Sequence, residues 1–193
     1  KLRSAILTPG LRPPFLAVEA NRPADPPRAL VTAHPLHGLD WLLDLWRGTI
    51  HAIAPRAELH VYSAALDKAQ RGEPFDPVFR PLVERLANAA NDGIVVKRPL
   101  PDPMMAAAYR EARVHLHPGH VSDMYAFSIA ESQSCGLPAV VRTRGTARER
   151  IIAGTTGFVA NDDNAFANAA LRLFNDNTTF ERMSLAARTT QLG

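Results

Sequence analysis

Residues 117–141 read HPGHVSDMYAFSIAESQSCGLPAVV. His117 and Pro118 close a short apolar run, RVHLHP (113–118), that fits a buried strand. A polar loop follows as far as Met124. A helix then begins near Tyr125 to Ser128 and ends at Gly136, a residue suited to the left-handed position that follows a helix. PAVVR (138–142) is short, apolar and β-branched, and reads as the next strand. Strand, loop, helix and strand make a βαβ unit, whose strands run parallel.

The same alternation extends outward in both directions. Upstream, RALVTA (28–33), AELHVYS (57–63) and GIVVK (93–97) are strand candidates. Between and after them lie helical patterns. Leu39, Leu42, Leu43, Trp46 and Ile50 recur at helical spacing, as do Phe79, Leu82, Leu86 and Ala89. PDPMMAAAYREA (101–112) carries Pro in its first turn, where a missing N–H costs nothing. Downstream, TARERIIAG (146–154) reads as a short helix, GFVA (157–160) as a strand, and DDNAFANAALRLFND and NTTFERMSLAARTT as two capped helices. The fold class expected is α/β, a Rossmann-like parallel sheet with helices on both faces. Residues 1–27 differ in texture. PGLRPPFLAVEANRPADPPR is rich in proline and reads as an extended linker or lead-in, with the folded domain over 28–193.

Composition narrows the function classes. The chain has 193 residues, 46% apolar and 21% charged, which suits one globular domain with a full core. No apolar run reaches the roughly 20 residues of a membrane span, and the first residues lack the apolar stretch of a secretory signal. A single cysteine, Cys135, forbids an internal disulfide and fits a reducing compartment. The net charge of +3 comes from scattered Lys and Arg without a basic stripe interleaved with aromatics, so nucleic acid is not an expected partner. The chain opens on Lys1, which suits a piece of a longer protein.

In a parallel sheet, ligands bind beyond the carboxyl ends of the strands. That places the loop 118–124 and the start of the following helix at the crevice. Free N–H groups at the helix start favour an anion such as a diphosphate. Glu131 lies within the first two turns and shares a face with Phe127, Ser128, Ser134 and Cys135. A carboxylate there accepts two neighbouring hydroxyls, as in a ribose diol, or is a solvated helix residue. Asp123 precedes the helix and either accepts from a sugar or complements the helix dipole.

Other constellations are weaker. His115, His117 and His120 invite a metal reading, but no cysteine is near and only Asp123 offers a fourth ligand, so no metal site is expected. Cys135, at the end of an amphipathic helix, reads as packed. The RTRGTARER segment (142–150) reads as a solvated charged face before it reads as a phosphate clamp. Lys97 and Arg98 follow the third strand and reach the crevice edge.

One family shares this pattern. Asp123-Met-Tyr-Ala-Phe127, then Glu131-Ser132, then Gly136-Leu-Pro-Ala-Val140 resembles the consensus of retaining glycosyltransferases of family 4 (group 1), which have the GT-B fold. The family reads Glu-Pro-Phe-Gly-Leu, three variable residues, Glu-Ala, then Gly-Leu-Pro-Val-Val. Gly145, Glu149, Ile151, Gly154 and Gly157 keep a downstream spacing of that family. HGLDWLLDLW (37–46), PRAELHVYS (55–63) and MMAAAYREARVHLHP (104–118) resemble its upstream segments.

The resemblance implies the C-terminal, nucleotide-sugar-binding half of a GT-B enzyme. It implies transfer of a sugar from a nucleoside diphosphate sugar, with retention and without a bound metal or cofactor. Glu131 would hold the ribose, and Asp123 the hydroxyls of the donor sugar. Backbone N–H groups at Tyr125, Ala126 and Phe127, with Ser128 beside them, would hold sugar or phosphate oxygens. The family's Arg and Lys after the first strand would stabilise the leaving diphosphate. Here that loop carries His34 and His37, with His37 at the Lys position. Asp123 stands in place of Glu, and Ala126 in place of Gly. The catalytic candidates are therefore Asp123 and His37. The donor-binding candidates are Glu131, His34, Tyr125, Ala126, Phe127 and Ser128.

The expected partners are a nucleotide sugar, an acceptor (glycan, lipid or small molecule) and an N-terminal acceptor domain of the same protein, without which this piece would be inactive. The expected place is the cytoplasm, with peripheral membrane contact through the other half. A non-catalytic nucleotide-sugar binding module, or half of a nucleotide-sugar epimerase, are the alternatives.

Overall fold

The structure, a computed structural model, describes residues 10–190. The first nine residues of the Pro-rich stretch lie outside the described residues. Six strands form the sheet: β1 (Arg28–Val31), β2 (Glu58–Tyr62), β3 (Ile94–Lys97), β4 (Val114–His117), β5 (Ala139–Arg142) and β6 (Gly157–Ala160). Their order is β3-β2-β1-β4-β5-β6, and every pairing is parallel. Ala29 on β1 lies opposite Leu59 on one side and Val114 on the other.

The helices are α1 (Pro13–Leu16), α2 (Leu39–Leu45), α3 (His51–Ile53), α4 (Ala64–Gln70), α5 (Arg80–Arg85), α6 (Asp102–Glu111), α7 (Phe127–Ser134), α8 (Asp163–Asn175) and α9 (Asn177–Thr189). A π turn, Trp46–Ile50, joins α2 to α3. They cover both faces of the sheet, because strand side chains alternate. Ala29, Val31, Leu59, Val61, Leu116 and Val140 share a core with Leu42, Trp46, Phe166 and Leu173. Leu30 and Tyr62 pack instead with Met105, Tyr109 and Phe15. Ala139 and Val141 pack with Ile129, Ala147 and Ile151. This is the Rossmann-like α/β architecture that the alternating pattern implies.

Local chemistry explains the element ends. Ser63, Asp162 and Asp176 cap α4, α8 and α9 by accepting the N–H groups of Leu66, Ala165 and Thr179. Each such cap is worth about 1 kcal/mol.

Three segments differ from the sequence reading. The helix α4 forms where no apolar repeat marks one; Ser63 is its signal. The helical pattern over 77–90 becomes a 3-10 turn, the six-residue α5, and a second 3-10 turn at Ala89–Asp92. TARERIIAG yields only a 3-10 turn, Ala147–Arg150, because Ile151 turns extended and buries its side chain beside Ile129 and Val141.

The stretch 10–27 is mostly extended, but it is tied to the domain along its length. Phe15, on α1, is 1% exposed and packs among Tyr109, Cys135 and Leu137. Arg110 donates to the carbonyls of Pro14 and Ala17. The Asn21 amide donates to the carbonyls of Cys135 and Gly136, and the Ser184 hydroxyl donates to its oxygen.

Candidate active site

The strand order reverses direction between β1 and β4. Beyond the carboxyl ends of those two strands lies the crevice where doubly wound sheets bind ligands. The loop after β1 supplies His34 and His37. The loop after β4 supplies His120, Asp123, Tyr125 and Ala126.

These loops meet through Asp123. The Nδ1–H of His37 donates to Oδ1 at 3.0 Å. The Nε2–H of His117 donates to Oδ2 at 3.1 Å, and the backbone N–H of His120 donates to the same oxygen at 3.0 Å. Its carboxyl is held down at about 2, chiefly by the His117 hydrogen bond and then by those from His37 and the His120 backbone, against the opposing effect of burial. An ionised carboxylate only accepts, so it fixes which nitrogen of each ring carries the proton. The Nδ1 of His117 is buried and has no hydrogen-bond partner among the described residues. The His37 ring stacks on His120 with centroids 4.1 Å apart and planes 10° apart, and His34 sits 5.1 Å away. His34 has its proton affinity lowered by burial and by His37, and its Nδ1 already accepts the N–H of Leu36.

Glycines let the loops approach. A Cβ on Gly145 would collide with the His120 carbonyl oxygen and come within 3.1 Å of Asp123. On Gly119 it would come within 2.7 Å of the Arg144 carbonyl oxygen, and on Gly38 within 3.0 Å of Pro118. Thr146 adds two hydrogen bonds to the Asp123 carbonyl, from its hydroxyl at 3.0 Å and its N–H at 3.3 Å.

The helix α7 starts at Phe127, behind Ala126, whose φ of 51° and ψ of 51° are left-handed. Among the described residues no side chain caps this end. Its first N–H groups, at Phe127 and Ser128, are left for a ligand or water. Tyr125 and Phe127 stack with centroids 4.2 Å apart. The guanidinium of Arg150 lies over the Tyr125 ring at 3.9 Å, and its Nε donates to the Tyr125 carbonyl.

Glu131 is largely buried on α7, and burial raises its carboxyl above the ordinary range, an effect that Arg12 partly offsets. Arg12 bridges Asp102 at 2.7 Å and Glu131 at 3.4 Å, across the start of α6 and the middle of α7. No sequence pattern marked Arg12, which lies 119 residues from Glu131.

The remaining candidates take structural roles. Both nitrogens of His115 are used, with Thr32 at 3.0 Å and Ser132 at 2.8 Å. Burial pushes its pKa down to about 3. Such a ring has no lone pair for a metal, and among the described residues no group of three or more His, Cys, Asp or Glu is arranged to hold one. Cys135 is buried and its thiol is pushed up to about 12, so it is a packing residue. Arg142 stacks over Trp41 at 4.1 Å. Among the described residues no helix is long and apolar enough to cross a membrane.

Several known proteins share this fold. Sucrose-phosphate synthase from Thermosynechococcus elongatus superposes with a TM-score of 0.66 and 22% identity, over 88% of this chain and 41% of that one. HepE of Anabaena, solved in complex with UDP, gives 0.65 and 16%, over 85% and 43%. A pneumococcal O-GlcNAc transferase, GtfA, solved with UDP and GlcNAc, gives 0.63 and 19%, over 89% and 34%. A D-inositol 3-phosphate glycosyltransferase of Thermomonospora curvata is 32% identical over 91 residues, 46% of this chain and 21% of that protein. The chain thus spans less than half the length of each. The family described as Glycosyl transferases group 1 matches residues 29–176. That match covers the whole sheet, both crevice loops and α7, and the chain belongs to the group 1 glycosyl transferases.

Proposed function

We propose that this chain is the donor-binding domain of a glycosyltransferase that moves a hexosyl group from a nucleoside diphosphate sugar to an acceptor, with retention and without a metal. The observation that carries the reading is the uncapped start of α7 at the β1–β4 crevice, with Glu131 on the same helix. The N–H groups of Phe127 and Ser128 would take diphosphate oxygens. Glu131, once ionised, would accept the two ribose hydroxyls. UDP is bound by relatives of the same fold, HepE and GtfA, and a uridine donor is the first to test. The acceptor would be held by a separate N-terminal domain.

The reading is tested by ligand-observed NMR with UDP, GDP, ADP and their sugars. Binding of one of these, lost or much weakened in Glu131→Ala, supports it. If none binds, the reading falls. If binding is indifferent to Glu131→Ala, the ribose assignment falls.

A further inference from the structure

Asp123 occupies the first position of the Asp123–Glu131 pair, where the family resemblance implies a ligand for the donor sugar. Its surroundings describe a different task. Oδ2 is filled by two donors, the His117 ring and the His120 backbone, and Oδ1 accepts from His37. The side chain is 14% exposed. His37 comes from the opposite wall of the crevice, and its Nδ1 is committed to Asp123. Its other nitrogen, Nε2, has no partner among the described residues.

We propose that Asp123 is a positioning residue that acts through His37, aiming the Nε2 of that imidazole at the diphosphate of a bound nucleotide sugar. This rests on the donor-binding reading above.

Three observations support it. First, the ring is fixed: Asp123 holds its edge, and the near-parallel stack on His120 restrains its plane. Second, the neighbouring imidazoles are otherwise engaged. His117 is 4% exposed, and His34 accepts the Leu36 N–H. Third, the loop after β1 carries no Lys or Arg, so on that wall of the crevice the only side chains that can carry positive charge toward the phosphates are imidazoles. A ring that donates to Asp123 through Nδ1 can donate to a phosphate through Nε2 only as the imidazolium. Such a contact would complete a carboxylate–imidazolium–diphosphate line. The titratable groups around that ring are Asp123, His34 and His120 in contact with it, and His117 behind Asp123.

A double-mutant cycle with Asp123→Asn and His37→Ala tests this, with UDP and UDP-glucose as ligands and calorimetry as the readout. Each single change should weaken both ligands by about tenfold, the worth of a hydrogen bond to a charged group. The double variant should be no weaker than His37→Ala alone. His37→Lys, which keeps a cation at that position, should restore affinity. The proposal is overturned if the two losses multiply, as independent or merely structural roles would make them. It is also overturned if Asp123→Asn weakens UDP-glucose and leaves UDP unchanged, which would make Asp123 a sugar ligand. If wild type binds neither ligand, the donor-binding reading itself fails, a result distinct from both.

Discussion

The Nη2 of Arg12 lies 3.4 Å from Oε1 of Glu131, which joins the chain's proline-rich beginning to the middle of α7. Arg12 also holds Asp102, at the start of α6. The candidate ribose ligand is thus embedded in contacts that begin before β1.

This gives Glu131 a predictable pH response. Burial raises its carboxyl, so the ionised form that accepts a diol is lost as pH falls through that raised value. Arg12 lowers it. In Arg12→Ala the loss should therefore begin at higher pH. UDP-glucose titrations between about pH 4 and 7 should show the variant weakening first, while the two proteins converge near neutrality. Stronger binding by the variant at pH 7 would instead mean that Arg12 competes with the ribose.

Phe15→Ala removes a fully buried ring between Tyr109, Cys135 and Leu137. It should cost about 3–5 kcal/mol in urea unfolding. Val18→Ala, at a side chain 89% exposed, should stay within about 0.5 kcal/mol. Equal effects would show that residues 10–27 do not belong to the folded unit.

Gly145→Ala and Gly72→Ala separate backbone strain from collision. Both glycines have positive φ, 68° and 73°, but only Gly145 has a neighbour in the way. Gly72→Ala should cost about 1 kcal/mol. Gly145→Ala must also push the His120–Asp123 loop, and should cost at least about twice that and weaken UDP-glucose binding. Thermal unfolding and calorimetry on the pair check both parts.

His115 should make the fold acid-labile. Its folded pKa is depressed to about 3 from the ordinary 6.5. Between those values the unfolded chain binds a proton that the folded chain does not. Stability is therefore present above about pH 6.5 and is lost as pH falls, at up to about 1.4 kcal/mol per pH unit. In His115→Gln the dependence of unfolding free energy on pH should be shallower by about one proton between pH 6 and 4. An unchanged slope would mean that the proton is accommodated elsewhere.

The sheet was legible because buried parallel strands are short apolar runs, and all six strands lie within a residue or two of RALVTA, AELHVYS, GIVVK, RVHLHP, PAVVR and GFVA. The start of α7 was legible because a polar loop gives way to a helical pattern at Phe127. Contacts between distant segments were not. His37 and Asp123 are 86 residues apart, and their meeting depends on β1 lying beside β4. Histidines 117 and 120, read as ordinary strand and loop residues and not as metal ligands, donate to that carboxylate, His117 through its ring and His120 through its backbone N–H. Proline in residues 10–27 correctly spoke against long helices. It said nothing about Phe15, a single anchor without periodicity.

The close approaches at Gly38, Gly119 and Gly145 bear on how this crevice could be redesigned. Three connections from different parts of the chain meet there at glycines: a Cβ on Gly119 or Gly145 would strike a backbone carbonyl oxygen, and one on Gly38 would press on the Pro118 ring. Exchanging any one of them with a relative's sequence would leave the other two cut to the wrong template. Donor preference in such a scaffold would have to be transplanted as a set of three segments, and libraries built to alter it should vary those segments together.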